Sequence, residues 1–175
     1  MCIRDSRRSA PIYAELVGGG MSADAYHATS THPEGLGAFL SMEAALRDAR
    51  MRAQEIDYVN AHATATAAGD ISELLALARL LGEHLPAVNI SSTKSMTGHL
   101  LGAAGAIESV ACVLAVRDNV APPTTNLTTI DPDVPAGANL TPNQRQTRLI
   151  DVAMNNSFGF GGHNATTLFR KVPDG

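Results

Sequence analysis

The chain has 175 residues, 45% of them hydrophobic, enough to bury the core of one domain. A net charge of −4, no basic run beyond Arg7-Arg8, 4% aromatics and no tryptophan exclude nucleic acid as an expected partner. The two cysteines, Cys2 and Cys112, give no disulfide framework and fit a reducing compartment.

Residues 1–6, Met1-Cys2-Ile3-Arg4-Asp5-Ser6, resemble a translated adapter scar and are read as a non-native leader, with the protein expected to extend upstream. Residues 12–17 form a short β-rich run, expected to be a strand stopped by Gly18-Gly19-Gly20. After a polar loop with Pro33 and Gly35, helical apolar spacing at Leu36, Phe39, Leu40, Ala44 and Leu46 predicts a helix over 36–52. Residues 56–60 are the next strand. Asp70 is expected to cap a helix over 71–81, with Glu73 completing a capping-box-like pattern.

Residues 88–91 read as a third strand, followed by a loop over 94–99 and a small-residue helix over 100–116. That last run carries Glu108 near its middle and ends at Arg117-Asp118, so it reads as a helix of a soluble core and no membrane span is expected. Pro122-Pro123 closes the region, and 128–148 is a polar, proline-bearing excursion without periodicity. Residues 149–154 and 165–169 are expected to be an antiparallel pair around a glycine-rich turn. Strands alternating with helices predict an α/β layered fold with a largely parallel central sheet. Reactive loops follow strand ends in such sheets, and His62, His99 and Phe160 all fall there.

Three segments concentrate the reactive residue types: Asn60-Ala61-His62-Ala63-Thr64-Ala65-Thr66, Ser92-Thr93-Lys94-Ser95-Met96-Thr97-Gly98-His99, and Asn156-Ser157-Phe158-Gly159-Phe160-Gly161-Gly162-His163-Asn164. Two histidines, a lysine five residues before the second, and a glycine-rich turn point to one built site. A metal site lacks His-x-x-x-His or Cys-x-x-Cys spacing, and a serine hydrolase at Ser157 lacks the Gly-x-Ser-x-Gly elbow. None of the three segments contains a cysteine.

In this order and spacing the segments resemble those of the β-ketoacyl-acyl carrier protein synthases, within the thiolase-like condensing enzymes. The likeness runs over about residues 12–171. The run Ile12-Tyr13-Ala14-Glu15-Leu16-Val17-Gly18, with Asp24-Ala25-Tyr26-His27, is most similar to the fatty-acid elongating, synthase II branch. The resemblance implies a two-half protein with its nucleophilic cysteine in the first half. Residues 7–20 then end that half, and 21–175 are the C-terminal ketosynthase domain, a mixed sheet flanked by helices. Cys112, among Val110, Ala111, Val113 and Leu114, is not the nucleophile, because buried apolar thiols are inert. An apolar face that packs on the first half should lie open on this chain.

The resemblance also implies the chemistry. Malonyl on acyl carrier protein loses CO2, and the carbanion attacks an acyl thioester. His62 and His99 match the two imidazole donors that stabilise the developing oxyanion. Lys94 matches a supporting lysine that keeps them neutral, with Glu108 as its counter-charge. Thr64 and Thr66 match the lining of the phosphopantetheine channel, together with Phe158, Gly161 and Gly162. Phe160 matches a gate whose backbone N–H serves an oxyanion hole, and Gly159 shares the freedom of that turn. No metal and no cofactor are implied; the partners are acyl carrier protein and a second copy of the full-length chain, in the cytoplasm. Departures are Ala63 and Ala65 for Gly and Ser, Ala67-Ala68 for a proline-containing pair, and His163 for Thr; Ala63 is where strain is expected. His27, His32 and His84 are left as surface residues. A polyketide-type ketosynthase and a non-catalytic half-domain that binds a partner are the competing readings.

Overall fold

The computed structural model describes residues 3–172; Met1 and Cys2, part of the expected leader, lie outside the described residues. In chain order the elements are α1 (Ile3–Arg7), β1 (Glu15–Ala23), α2 (Leu36–Ala49), β2 (Tyr58–Asn60), α3 (Ala67–Leu81), β3 (Asn89–Ser91), α4 (Lys94–Thr97), α5 (Ala104–Asp118), β4 (Val120–Ala121), β5 (Gln146–Thr147), β6 (Val152–Gly159) and β7 (His163–Arg170). Five strands form one sheet in the order β1-β7-β6-β2-β3. β2 is parallel to both β3 and β6, whereas β7 is antiparallel to both β6 and β1. The sheet is therefore mixed, as the resemblance implies, and not largely parallel as the alternation of elements predicts. The hairpin β6–β7 and the return of β1 onto β7 supply the antiparallel half.

Alternation along the central strands divides the interior into two cores. Val59, Val152, Met154 and Leu168 face α2 and α3, joining Met42, Ala45, Leu74, Leu77 and Leu81. Tyr58, Ala153 and Phe169 face α5, joining Cys112, Ala115 and Val116. A strand buried on both faces reads as a continuous apolar run, and β2 and the first half of β6 are buried at every position.

Two expectations fail at glycine and at a helix start. The strand expected over 12–17 instead runs through Gly18-Gly19-Gly20. Those glycines let α2 approach: a Cβ at Gly18 would stand 2.6 Å from the Ala45 carbonyl oxygen, and one at Gly20 2.1 Å from that of Ser41. The helix expected over 71–81 begins at Ala67, with Thr66 as its N-cap residue, so Asp70 lies inside the first turn and Glu73 completes no capping box. His84 is half-buried, its Nε2 3.0 Å from the Ile56 carbonyl oxygen, which gives it a structural place.

Apart from Glu108 and Ser109, α5 is built of glycine, alanine and other apolar residues as far as Arg117-Asp118. One side packs on the sheet, while Ile107, Val110 and Leu114 stay exposed. They line an open groove of about 650 Å³ with Met96, Pro122 and Arg145. An apolar face of α5 is therefore open to solvent. Among the described residues, no helix is long and apolar enough to cross a membrane.

Candidate active site

The C-terminal ends of β2, β3 and β6 open on one edge of the sheet, because these three strands are mutually parallel. Each of the three loops singled out in the sequence leaves from one of them, and two histidine side chains meet there. The His62 and His99 rings stand edge to face, centroids 5.6 Å apart at 85°. Phe158 also lies against His62, ring centroids 5.6 Å apart and tilted by 49°.

Local hydrogen bonding fixes the His62 loop. The Asn60 amide spans to the next loop, accepting from the Thr93 backbone N–H at 3.3 Å and donating to Thr93 Oγ1 at 2.9 Å. Ser92 Oγ donates to the Ala63 carbonyl at 2.9 Å. Beneath the loop, Glu73 accepts the backbone N–H groups of His62 at 3.0 Å and Ala63 at 2.9 Å. Burial pushes the Asp70 carboxyl up and the nearby backbone amides of Thr66, Ala65 and Thr64 lower it in part, while its Oδ1 is buried without a hydrogen-bond partner among the described residues. Consecutive turns of α3 thus place two carboxylates under one loop.

Burial, the Lys94 ammonium and His99 together lower the His62 pKa from 6.5 to about 3, so its imidazole is neutral at physiological pH. Its Nδ1 is buried without a hydrogen-bond partner among the described residues. The His99 side chain is exposed, and its Nδ1 accepts the Leu101 backbone N–H at 3.2 Å. In the neutral ring that bond leaves the proton on Nε2, a free donor. Lys94, only 9% exposed, forms a buried ion pair with Glu108 of α5. Burial pushes the Glu108 carboxyl up, and Lys94 draws it back. The pair ties α4 to α5 on either side of the His99 turn.

The remaining expected residues lie at the rim. Thr64 and Thr66 hold their hydroxyls 3.3 Å apart. Phe160 projects into solvent, 81% exposed, from the turn between β6 and β7, where Gly161 and Gly162 adopt φ of 83° and 74°. A Cβ at Gly162 would stand 2.9 Å from Asp24 Cβ, and the Gly161 N–H donates to the Ala28 carbonyl at 2.7 Å. The segment from Asp24 to Ala28 therefore clamps the turn. His163 is exposed, with its ring 3.2 Å from where a Gly161 Cβ would be. Strain falls at Ala65, with φ of 63°, and not at Ala63, where it was expected. Cys112 is fully buried, its thiol pushed well above the ordinary range by burial. That environment disfavours the thiolate a nucleophile needs.

Sequence reasoning placed Asn60 and Asn156 in the site segments without a role and did not find Glu73 or Asp70 as parts of this cluster. For Glu73 a signal exists: it interrupts the buried apolar stripe of α3, beside Leu74 and Leu77. A charge on a buried face is either paired or misplaced.

Residues 13–128 match the family profile described as Beta-ketoacyl synthase, C-terminal domain. The chain is 49% identical over 168 residues to 3-oxoacyl-acyl-carrier-protein synthase 2 of Coxiella burnetii, covering 96% of this chain and 40% of that protein. It is 50% identical over 167 residues to the synthase 2 of Vibrio cholerae, covering 94% and 40%. Among solved structures, a type II polyketide ketosynthase in complex with its acyl-carrier protein matches with a TM-score of 0.92 at 39% identity, over 96% of this chain and 41% of that one. A β-ketoacyl synthase from Burkholderia phymatum matches with a TM-score of 0.89 at 38% identity, over 97% and 40%. The chain spans about two fifths of the length of these proteins. From this match and a shared layered α/β fold, the chain belongs to the β-ketoacyl synthase family, whose C-terminal domain it carries.

Proposed function

We propose that the chain is part of a condensing acyltransferase of fatty acid synthesis. The enzyme joins malonyl-acyl carrier protein to an acyl thioester, giving 3-oxoacyl-acyl carrier protein with loss of CO2. One observation carries this: a neutral His62 ring beside His99, its neutrality enforced by burial and a buried lysine. As the malonyl C–C bond breaks and CO2 leaves, the electron pair passes into the thioester carbonyl. Two imidazole N–H donors at that oxygen stabilise the enolate. The enolate carbon then attacks the acyl thioester, whose sulfur leaves as thiolate. The nucleophilic cysteine lies outside this chain, in a preceding half that covers the outer face of α5. Residues 7–20 end that half and 21–175 form the C-terminal ketosynthase domain.

Thr64, Thr66, Phe158, Gly161 and Gly162 line the approach of the phosphopantetheine arm, and Phe160 gates it. Acyl carrier protein is the partner, in keeping with the carrier protein bound to the structurally similar ketosynthase. The intact enzyme is a cytoplasmic homodimer. The polyketide reading rests on that same neighbour at 39% identity; 49% identity to synthase 2 favours fatty acid elongation.

In the intact synthase, His62→Ala or His99→Ala should slow malonyl decarboxylation by about 100- to 1,000-fold. Acylation of the cysteine, followed with a labelled acyl-carrier substrate, should persist. Loss of acylation with decarboxylation intact would overturn the assignment.

A further inference from the structure

α4 is a helix of only 4 residues, Lys94–Thr97, and it carries the buried lysine of the site. One helical turn has no stability of its own, so its place comes from what it is fastened to. The Lys94–Glu108 pair ties it to α5. A second tie comes from Thr124 and Thr125, just after Pro122-Pro123, which the chemistry above leaves without a part. Thr125 clasps Ser95, the neighbour of Lys94, in both directions. Its backbone N–H donates to Ser95 Oγ at 2.9 Å, and its Oγ1 donates to the Ser95 carbonyl oxygen at 3.0 Å. Ser95 Oγ in turn donates to the Ser92 carbonyl at 2.8 Å, and the Ser92 backbone N–H donates to Thr124 Oγ1 at 3.2 Å. The two threonines are themselves anchored. The Thr124 N–H donates to the Thr141 carbonyl at 2.9 Å, and the Asn143 N–H to the Thr124 carbonyl at 2.8 Å. Thr141 Oγ1 accepts the Asn89 side-chain N–H at 2.9 Å, and the Ile90 N–H donates to the Asn139 carbonyl at 2.8 Å. The loop that leaves β3 is thus strapped back onto β3 itself.

Carbonyls in the last turn of a helix lack intrahelical partners, and the Thr125 hydroxyl supplies one to Ser95. Valine keeps the β-branch and the backbone N–H of Thr125 but has no side-chain donor. A carbonyl that loses its donor pulls the chain toward another partner, and Ser95 moves the Lys94 backbone with it. The Lys94 ammonium acts on both Glu108 and His62, so its placement reaches the reacting groups.

We propose that Thr125 is a positioning residue for Lys94, holding it through the Ser95 carbonyl. The inference rests on the condensing-enzyme reading of the site. In the intact synthase, Thr125→Val should lower kcat for malonyl-acyl carrier protein decarboxylation by about two- to tenfold, the weight of one neutral hydrogen bond. KM and cysteine acylation should stay near wild type. Thr125→Ser keeps the hydroxyl and should run at the wild-type rate. A hydroxyl that only stabilises the fold would lower both half-reactions together.

His62→Ala is measured alongside. If it retains decarboxylation, the functional reading fails; if it loses decarboxylation while Thr125→Val keeps the wild-type rate, only this inference fails. Equal losses of acylation and decarboxylation in Thr125→Val, or a Thr125→Ser variant as slow as Thr125→Val, also overturn it. Should Thr125→Val not fold, Thr125→Ala decides, because it removes the same donor without adding bulk. Decarboxylation must then fall further than acylation; unchanged or equally lowered rates overturn the proposal.

Discussion

The two histidines of the site sit a ring apart but are held in different ways. His62 sits in a loop clamped from below by Glu73 of α3 and from the side by Ser92. Its position comes from short-range hydrogen bonds to its own backbone, and its neutrality from burial. His99 lies in an exposed turn whose flanks, α4 and α5, are joined by one buried ion pair between Lys94 and Glu108. The first imidazole is positioned by many neutral-to-charged contacts and the second by a single charged one. A site held in these two ways should fail in two ways.

The largest effect is expected where one contact does most of the holding. Glu108→Ala leaves the Lys94 ammonium buried without its partner, and such truncations cost about 3–5 kcal/mol. Chemical denaturation of this chain should show that loss. The double variant Lys94→Met/Glu108→Leu should recover most of it, because an apolar pair of similar volume avoids the desolvation of both charges. A loss below about 1 kcal/mol, the range of exposed pairs, would mean water reaches the pair and the contrast with His62 is false.

How far the sequence revealed this contrast depends on the kind of contact. His62, Lys94 and His99 were legible because each stands in a short motif at a strand end. The pairing of Lys94 with Glu108 came only from family resemblance, since nothing in spacing alone links a loop lysine to a helix carboxylate. Glu73 was misread as a local cap, because capping patterns depend on where a helix starts, and α3 starts at Ala67, ahead of the expected boundary. β1 was cut short at its glycines for a related reason. Gly18 and Gly20 are there for the approach of α2, a tertiary fact that looks like a turn in one dimension. The short strands β4, just before Pro122-Pro123, and β5, inside the polar excursion, have no period to detect.

Acid tests the buried imidazole. The folded-state pKa of His62 is about 3 against 6.5 for the unfolded chain, so between those values the unfolded state binds the extra proton. Stability contributed by keeping His62 neutral is complete above about pH 6.5 and is lost as pH falls toward 3, with a slope of up to about 1.4 kcal/mol per pH unit. His62→Asn should flatten that part of the stability–pH curve, measured as the difference in slope from wild type. Side-chain NMR should show the His62 ring still neutral at pH 5. A His62 ring that titrates near 6.5 would place it in solvent and overturn its burial as the source of its neutrality.

The smallest effect tests whether the His62 loop carries strain within its many contacts. Ala65 occupies the left-handed region, at φ of 63°, whereas Ala63 does not. An alanine there costs about 1–2 kcal/mol, and glycine removes that cost while adding roughly 0.5–1 kcal/mol of unfolded-state entropy. Ala65→Gly should therefore stabilise the chain by up to about 1 kcal/mol. At Ala63, where no strain is relieved, the same change should cost roughly 0.5–1 kcal/mol. The opposite signs matter more than the sizes, since both variants remove the same methyl group from the same loop. If both destabilise equally, the loop is not held against its own backbone preference. Glu73 would then be filling acceptor positions under a relaxed turn, and the clamp that sets His62 apart from His99 would be weaker than its hydrogen bonds imply.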